Sequence, residues 1–273
     1  MVKLVSMDLD GTLLSTDKVM TKSFKPFVEK LKSKGIVPIV ATGREYFMAN
    51  KFLGNTDIDI VCNNGNVIRN NLTGKTSYVN PIDKKDVLEI MSFDKSDEII
   101  STIHILRNDG VDLLYRLKEN QDYNNSYVNV FAGRNLGVKD FLQYDGEPLS
   151  IVFAARYEVL KDFKEVLEEK IGDRFNIHLM EIVSKPYWML EVLQKNGDKL
   201  FGVEKFIEDK NINLKNIISI GDDSNDKMLI ENSGIGIAMK NGVNELKKVA
   251  DIISDYDNDN DGAIKILDKV IFG

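Results

Sequence analysis

Among 273 residues there is one cysteine, Cys62, with two histidines and five prolines. A single cysteine cannot form an internal disulfide, which excludes a disulfide-stapled scaffold and favours a reducing compartment. No apolar run approaches the roughly 20 residues that a membrane span requires. Residues 1–14 alternate apolar side chains with carboxylates and lack the basic, apolar and small-residue zones of a signal peptide. No repeat, low-complexity tract or Pro- or Ser-rich linker punctuates the chain. Positive charge is in deficit as well: 36 Lys and Arg against 43 Asp and Glu leave a formal charge of −7. That balance argues against a nucleic-acid-binding surface. The expectation is a cytoplasmic protein, monomer or homodimer, with no nucleic-acid or membrane partner.

What remains reads as globular. Hydrophobic residues make up 43% and charged residues 29% of the chain, enough to bury a sizeable core at this length. Residues 2–7 form a short apolar run that stops at Asp8-Leu9-Asp10-Gly11, the pattern of a buried strand ending in a loop. Phe24, Val28 and Leu31 share one helical face, with Thr21 as the expected N-cap and Gly35 at the end. Residues 36–41 supply a second strand before Thr42-Gly43-Arg44, and residues 58–62 a third before Asn63-Asn64-Gly65. The rhythm returns at 217–220, which precede Gly221-Asp222-Asp223, then a helix over 225–231, a strand over 234–238 and a last helix from Gly262. Alternating strands and helices predict an α/β fold with a doubly wound parallel sheet, a Rossmann-like core.

Between the two blocks the pattern changes. Residues 101–106 and 111–116 flank Asn108-Asp109-Gly110, a hairpin signal. Residues 161–171 read as a helix and 175–183 as strand. We therefore expect a core made of 1–82 with 189–273, and an inserted α+β cap domain over 83–188.

In open α/β sheets, ligands bind outside the carboxyl ends of the strands. Those ends here carry Asp8 and Asp10, then Thr42 and Gly43, then Asn64, and finally Asp222, Asp223, Asn225 and Asp226. Carboxylates gathered so closely repel one another unless a cation sits among them. An oxygen-only donor set suits Mg²⁺, and both histidines, His104 and His178, fall in the inserted segment. An isolated D-x-D-G is more often a plain turn; acids at a second strand end reverse that reading.

These residues carry a resemblance. Asp8-Leu9-Asp10-Gly11-Thr12-Leu13-Leu14 resembles the first motif of the haloacid dehalogenase superfamily of phosphotransferases. Thr42 in Ala41-Thr42-Gly43-Arg44 resembles its second motif, and Gly221-Asp222-Asp223-Ser224-Asn225-Asp226 its fourth. The third motif is a lysine, matched best by Lys199, with Lys195 as a rival. The large insertion resembles the C2-type cap of the Cof-like subfamily, so the resemblance spans essentially the whole chain.

The resemblance implies a Mg²⁺-dependent phosphatase acting on a small phosphorylated metabolite, such as a sugar phosphate, flavin mononucleotide or pyridoxal phosphate. A carboxylate can attack phosphorus and form an aspartyl-phosphate, splitting one hard step into two. Asp8 is the candidate nucleophile, and Asp10 the candidate general acid and then base, a role that calls for a raised pKa. Asp8, the Asp10 carbonyl and Asp222 would hold Mg²⁺. Thr42, Lys199 and the amides of Leu9 and Gly43 would bind the phosphoryl oxygens. Asn225 would do likewise or hold Lys199. Arg44, Asn64, Asp223 and Asp226 are candidate supporting residues, Arg44 reaching either a phosphate or a surface carboxylate.

Other readings compete. Asp257-Asn258-Asp259-Asn260-Asp261-Gly262 with Asp268 imitates a calcium loop, although the residues before it read as a strand end and not as an entering helix. Capping of the last helix by Asp261 explains that run more simply. Tyr187 and Trp188 read as ring-stacking residues or as core packing. A phosphomutase would share every motif, and a non-catalytic phospholigand sensor would need only the binding residues. A receiver-type module would be phosphorylated at the end of the third strand, where this chain has Asn63-Asn64.

Overall fold

The first apolar run is buried on both faces of a sheet: β1 (Leu4–Met7) has a parallel neighbour on each side, and no residue in it exceeds 1% exposure. The computed structural model describes residues 1–119, 123, 127–141, 145–181 and 188–273. They divide into two compact units, Met1–Tyr78 with Gly197–Gly273, and Val79–Asn196. The sequence had suggested crossings at 82/83 and 188/189. The second crossing lies later because residues 188–194 are a strand that pairs inside the inserted unit.

After β1, the first unit continues through α1 (Phe24–Ser33), β2 (Val37–Ala41), α2 (Tyr46–Leu53), β3 (Asp59–Cys62), β4 (Val67–Asn70) and β5 (Thr76–Val79). The N-cap of α1 is Ser23 and not Thr21; the Thr21 hydroxyl pairs with that of Ser23 instead. Helix α1 buries Phe24, Phe27, Val28 and Leu31, a spacing that puts all four on one stripe.

The inserted unit holds α3 (Lys84–Phe93), β6 (Ile100–Leu106), β7 (Leu113–Arg116), β8 (Asn135–Val138), β9 (Glu147–Ala155), α4 (Tyr157–Ile171), β10 (Phe175–Glu181) and β11 (Trp188–Gln194). Its six strands run in the order β10-β11-β9-β6-β7-β8, antiparallel except for the β7–β8 pair. Ile90 and Met91 of α3 and Leu160, Phe163 and Leu167 of α4 pack with Ile103, Ile151, Phe153 and Leu190 of the sheet. Two helices on one sheet make the α+β layer that the hairpin signal suggested. Trp188 starts β11 and packs against Tyr157, with ring centroids 4.7 Å apart. Tyr187 lies outside the described residues.

The chain then completes the first unit with α5 (Lys199–Ile207), β12 (Ile217–Gly221), α6 (Lys227–Asn232), β13 (Ile235–Ala238), α7 (Asn244–Lys247), β14 (Ile252–Ile253) and α8 (Gly262–Phe272). The sheet order is β14-β13-β12-β1-β2-β3-β4-β5, parallel from β14 to β3. The β3–β4 pair is antiparallel. Strand order reverses beside β1, so the crevice at its carboxyl end is the place where such sheets bind ligands.

Candidate active site

Asp8 leaves the end of β1 at 6% exposure, its amide donating to the Ile220 carbonyl of β12 at 3.0 Å. One carboxylate oxygen, Oδ1, accepts from Lys199 Nζ at 2.7 Å. Lys199 opens α5 behind an Asp198 N-cap, whose side chain accepts from the Phe201 amide. At 1% exposure its ammonium also reaches Asp226 Oδ1 at 2.5 Å. The other oxygen of Asp226 accepts from the amides of Asp222 and Asp223, at 3.0 and 3.1 Å. Asp226 is thereby held by three donors and aims the lysine at Asp8.

Lys199 is held by Asp8 and by Asp226, which the sequence offered as a metal-supporting residue or as the one that orients this lysine. Asn225, read as a phosphate ligand or a partner of Lys199, donates to Asn64 Oδ1 at 3.1 Å. Lys195 lies in the inserted unit and donates to the Gly172 carbonyl.

Asp8, Asp222 and Asp226 each offer an oxygen within 4.8 Å of the others. One lysine faces three carboxylates, and the electrostatics register the surplus. Burial raises the Asp8 carboxyl well above its usual range; Lys199 opposes this, and the charges of Asp226 and Asp222 add to it. Burial, with the charge of Asp226, pushes Asp222 up to about 6, against a hydrogen bond from Thr12. Burial alone would lower Lys199, but Asp226 and Asp8 outweigh it and hold the ammonium above its ordinary value. A cluster of hard oxygen donors short of positive charge fits a divalent cation of the Mg²⁺ type. The residues best placed to hold it are Asp8 and Asp222, because both oxygens of Asp226 are already engaged.

Asp10 departs from expectation. Arg44 grips it with Nε to Oδ2 at 2.5 Å and Nη2 to Oδ1 at 2.7 Å, and Lys18 Nζ reaches Oδ1 at 2.6 Å. Burial alone would raise this carboxyl; the hydrogen bonds and charges of Arg44 and Lys18 outweigh it and hold it below the ordinary value. The raised pKa expected for a general acid is therefore absent from the resting arrangement. Arg44, read from sequence as a phosphate or surface-carboxylate ligand, holds a carboxylate of the site itself.

The neighbouring loops complete the crevice. Thr42 is buried, its hydroxyl accepting from the Arg44 amide at 3.1 Å. Among the described residues, the amides of Leu9 and Gly43 donate to no backbone carbonyl. A Cβ on Gly43 would lie 3.0 Å from Asn64 Oδ1 and 3.4 Å from Asn225 Nδ2, which places these three residues together. Asp223 caps the turn over Ser224–Asp226 and supports the loop without joining the carboxylate cluster.

Two contributors were missed at the sequence level. Thr12 donates to Asp222 Oδ1 at 3.1 Å, and its place in the first motif was the available signal. Lys18 gave none, since a lysine in a polar loop is normally just solvated.

The loop of the apparent calcium motif spends its side chains on its own chain. Asp257 accepts from the Asn260 amide, Asp259 from Thr16, Asp261 from Ser23, and Asp268 pairs with Lys30. Asp261 stands at the N-cap position of α8 in left-handed backbone, φ 58°, and its side chain makes no capping bond. Asp257 instead caps the short 3-10 turn over Asn258–Asn260 that precedes α8. Cys62 is wholly buried with its thiol pushed up to about 12, mainly by burial, and is inert core.

The haloacid dehalogenase-like hydrolase family matches residues 5–267, and the chain belongs to it. Similar relatives are the 5-amino-6-(5-phospho-D-ribitylamino)uracil phosphatases YitU and YwtE of Bacillus subtilis. Each is 24% identical; the first match covers 97% of this chain and 96% of the relative, the second 100% and 99%. A haloacid dehalogenase-like hydrolase from Bacteroides thetaiotaomicron shares the fold, with a TM-score of 0.80 over 99% of this chain and 100% of that one at 23% identity. In reaction class the protein is a phosphoric monoester hydrolase. Among the described residues, no helix is long and apolar enough to cross a membrane.

Proposed function

We propose that this hydrolase removes phosphate from a small phosphomonoester with Mg²⁺, through an aspartyl-phosphate on Asp8. The observation that carries the reading is the buried Lys199 shared by Asp8 and Asp226, with Asp222 close enough to complete a cation site. Asp8 attacks phosphorus through its unpaired oxygen, and the bond to the ester oxygen breaks. Asp10 passes a proton to that leaving oxygen; it then takes one from the water that attacks phosphorus and releases Asp8. At rest Asp10 is ionised, the form that accepts a proton. A phosphoryl dianion arriving beside it would raise its pKa and supply the acid form.

Lys199, the Thr42 hydroxyl and the amides of Leu9 and Gly43 surround the transferring oxygens, with Asn225 and Asn64 bracing Gly43. Bound Mg²⁺ would neutralise the charge of the transferring group, the main burden in phosphoryl transfer. Substrates worth testing are sugar phosphates, flavin mononucleotide, pyridoxal phosphate and the phosphoribitylamino-uracil named for the two Bacillus subtilis relatives. The test is phosphate release from that panel, with Mg²⁺ and with chelator. Mg²⁺-dependent release from one or a few members supports the reading. Release unaffected by chelator refutes the metal, and substrate turnover without release identifies a mutase.

A further inference from the structure

We propose that the acidic loop over residues 257–262 and the turn over residues 15–19 form one device whose purpose is to hold Lys18 on Asp10. Lys18 is then a positioning residue for the hydrolysis, and the inference rests on the reading of Asp10 given above.

The turn is tightly specified. Leu14 and Met20 pair as a short antiparallel bridge, the Ser15 amide donates to the Val19 carbonyl at 3.0 Å, and the Lys18 amide to the Ser15 carbonyl at 2.9 Å. Within it Lys18 has φ 58°, a left-handed conformation that a side chain with a Cβ disfavours. Such a conformation persists where the surroundings over-determine it. Here they come from the far end of the chain. Asp259 takes both donors of Thr16, the amide at 2.7 Å and the hydroxyl at 2.9 Å. Asn258 Nδ2 donates to the Leu14 carbonyl at 2.9 Å, and its amide donates to Asn241 Oδ1 at 3.2 Å. Asn241 in turn donates to the Gly11 carbonyl at 2.8 Å. The loop thus holds the end of the first motif at Leu14 and the turn at Thr16, and through Asn241 it reaches Gly11.

The consequence falls on Asp10. Arg44 grips both its oxygens from one side, and Lys18 fixes Oδ1 from the other. Lys18 is half exposed, at 49% for its side chain, and an ion pair that exposed contributes little to stability. Its value lies in geometry, since a carboxylate that must meet first a leaving oxygen and then a water has to be aimed. An acidic run whose side chains bond to their own chain thereby gains a task.

The experiment is steady-state kinetics of the full chain with Mg²⁺ on the ester panel, for wild type, Lys18→Ala, Lys18→Arg, Asp259→Ala and the Lys18→Ala/Asp259→Ala pair. Asp268→Ala serves as a control in the same C-terminal segment. Lys18→Ala should lower kcat about tenfold with KM little changed, as loss of a positioning partner does. Lys18→Arg should restore most of it, and Asp259→Ala should lose about threefold, with the pair no worse than Lys18→Ala alone because both act on one contact. Thermal melts confirm that each variant folds. A kcat for Lys18→Ala within twofold of wild type overturns the inference, as do additive losses in the pair. A wild type that releases no phosphate refutes the hydrolase reading and the inference with it. An active wild type that is dead as Asp8→Asn leaves the Lys18 comparison to decide the inference alone.

Discussion

Each unit of the molecule buries an ionic cluster, and the two are composed oppositely. In the inserted unit Asp94 is 5% exposed, and its carboxylate meets Lys118 at 2.8 Å, Arg116 at 3.7 Å, the Ser101 hydroxyl and the Ser96 amide. Lys118 spends its remaining donors on the carbonyls of Ser96 and Ile99. One anion faces two cations, and the hydrogen bonds are satisfied within the protein. At the end of β1 the ratio is inverted, with Asp8, Asp222 and Asp226 around Lys199 alone. A closed network holds a fold together, whereas one left short of positive charge is prepared for something that arrives later. The difference separates structural from functional burial of charge.

The largest expected effect breaks the functional cluster. Asp8→Asn should lower kcat by about a thousandfold or more, because no neighbouring group replaces a lost nucleophile. The same substitution removes one of the crowded negative charges, so the metal-free variant should melt at or above the wild-type temperature. Activity assays and thermal melts without metal check both halves. A variant that loses activity only because it unfolds would contradict the comparison.

Asp94→Asn should do the reverse. It strips its carboxylate partner from a lysine whose side chain is 13% exposed, and breaking a buried pair on one side costs about 3 kcal/mol. Urea unfolding of the full chain measures it. Phosphatase activity of the folded fraction should stay near wild type.

Mg²⁺ sharpens the contrast from the other direction. At a hundredfold excess over its Kd, a ligand that binds only the folded state adds about 2.7 kcal/mol. The gain should vanish in Asp222→Ala and persist in Asp94→Asn. Calorimetry or thermal shift with and without Mg²⁺ distinguishes the two.

How much of this could be read from the chain alone follows the same division. Asp8, Thr42 and Asp222 were legible because strand ends of a parallel sheet collect chemistry, and apolar runs mark those ends clearly, whereas Lys199, at the start of α5, was reached only through the family resemblance. The Asp94 cluster was invisible, since Asp94, Arg116 and Lys118 look like ordinary surface charges until the pairing of β6 and β7 brings them together. Lys18 was hidden for a related reason: its partner is eight residues away, and the device that aims it is more than two hundred away. The boundary at residue 188 was misread because β11 pairs with β9 and β10, long-range pairings that no local pattern encodes.

The smallest expected effect is a pH dependence. Asp222 sits at about 6 in the folded protein against an ordinary value of 3.8, and Asp8 is raised too. Between those values the folded state binds more protons than the unfolded one, so stability falls as pH rises from about 4 to about 6. Asp10 is held low, so near pH 4, where its unfolded form still binds protons, it works in the opposite sense. His178 is lowered, mainly by burial, and works in the opposite sense. The unfolding free energy of wild type minus that of Asp222→Asn removes the histidine from the account. That difference should decline from about pH 4 to about pH 6 in the metal-free protein. With saturating Mg²⁺ the sign should reverse, because the metal selects the ionised carboxylates and its binding releases their protons. A flat difference in both conditions would mean that the acids at the end of β1 are no more strained than those around Lys118.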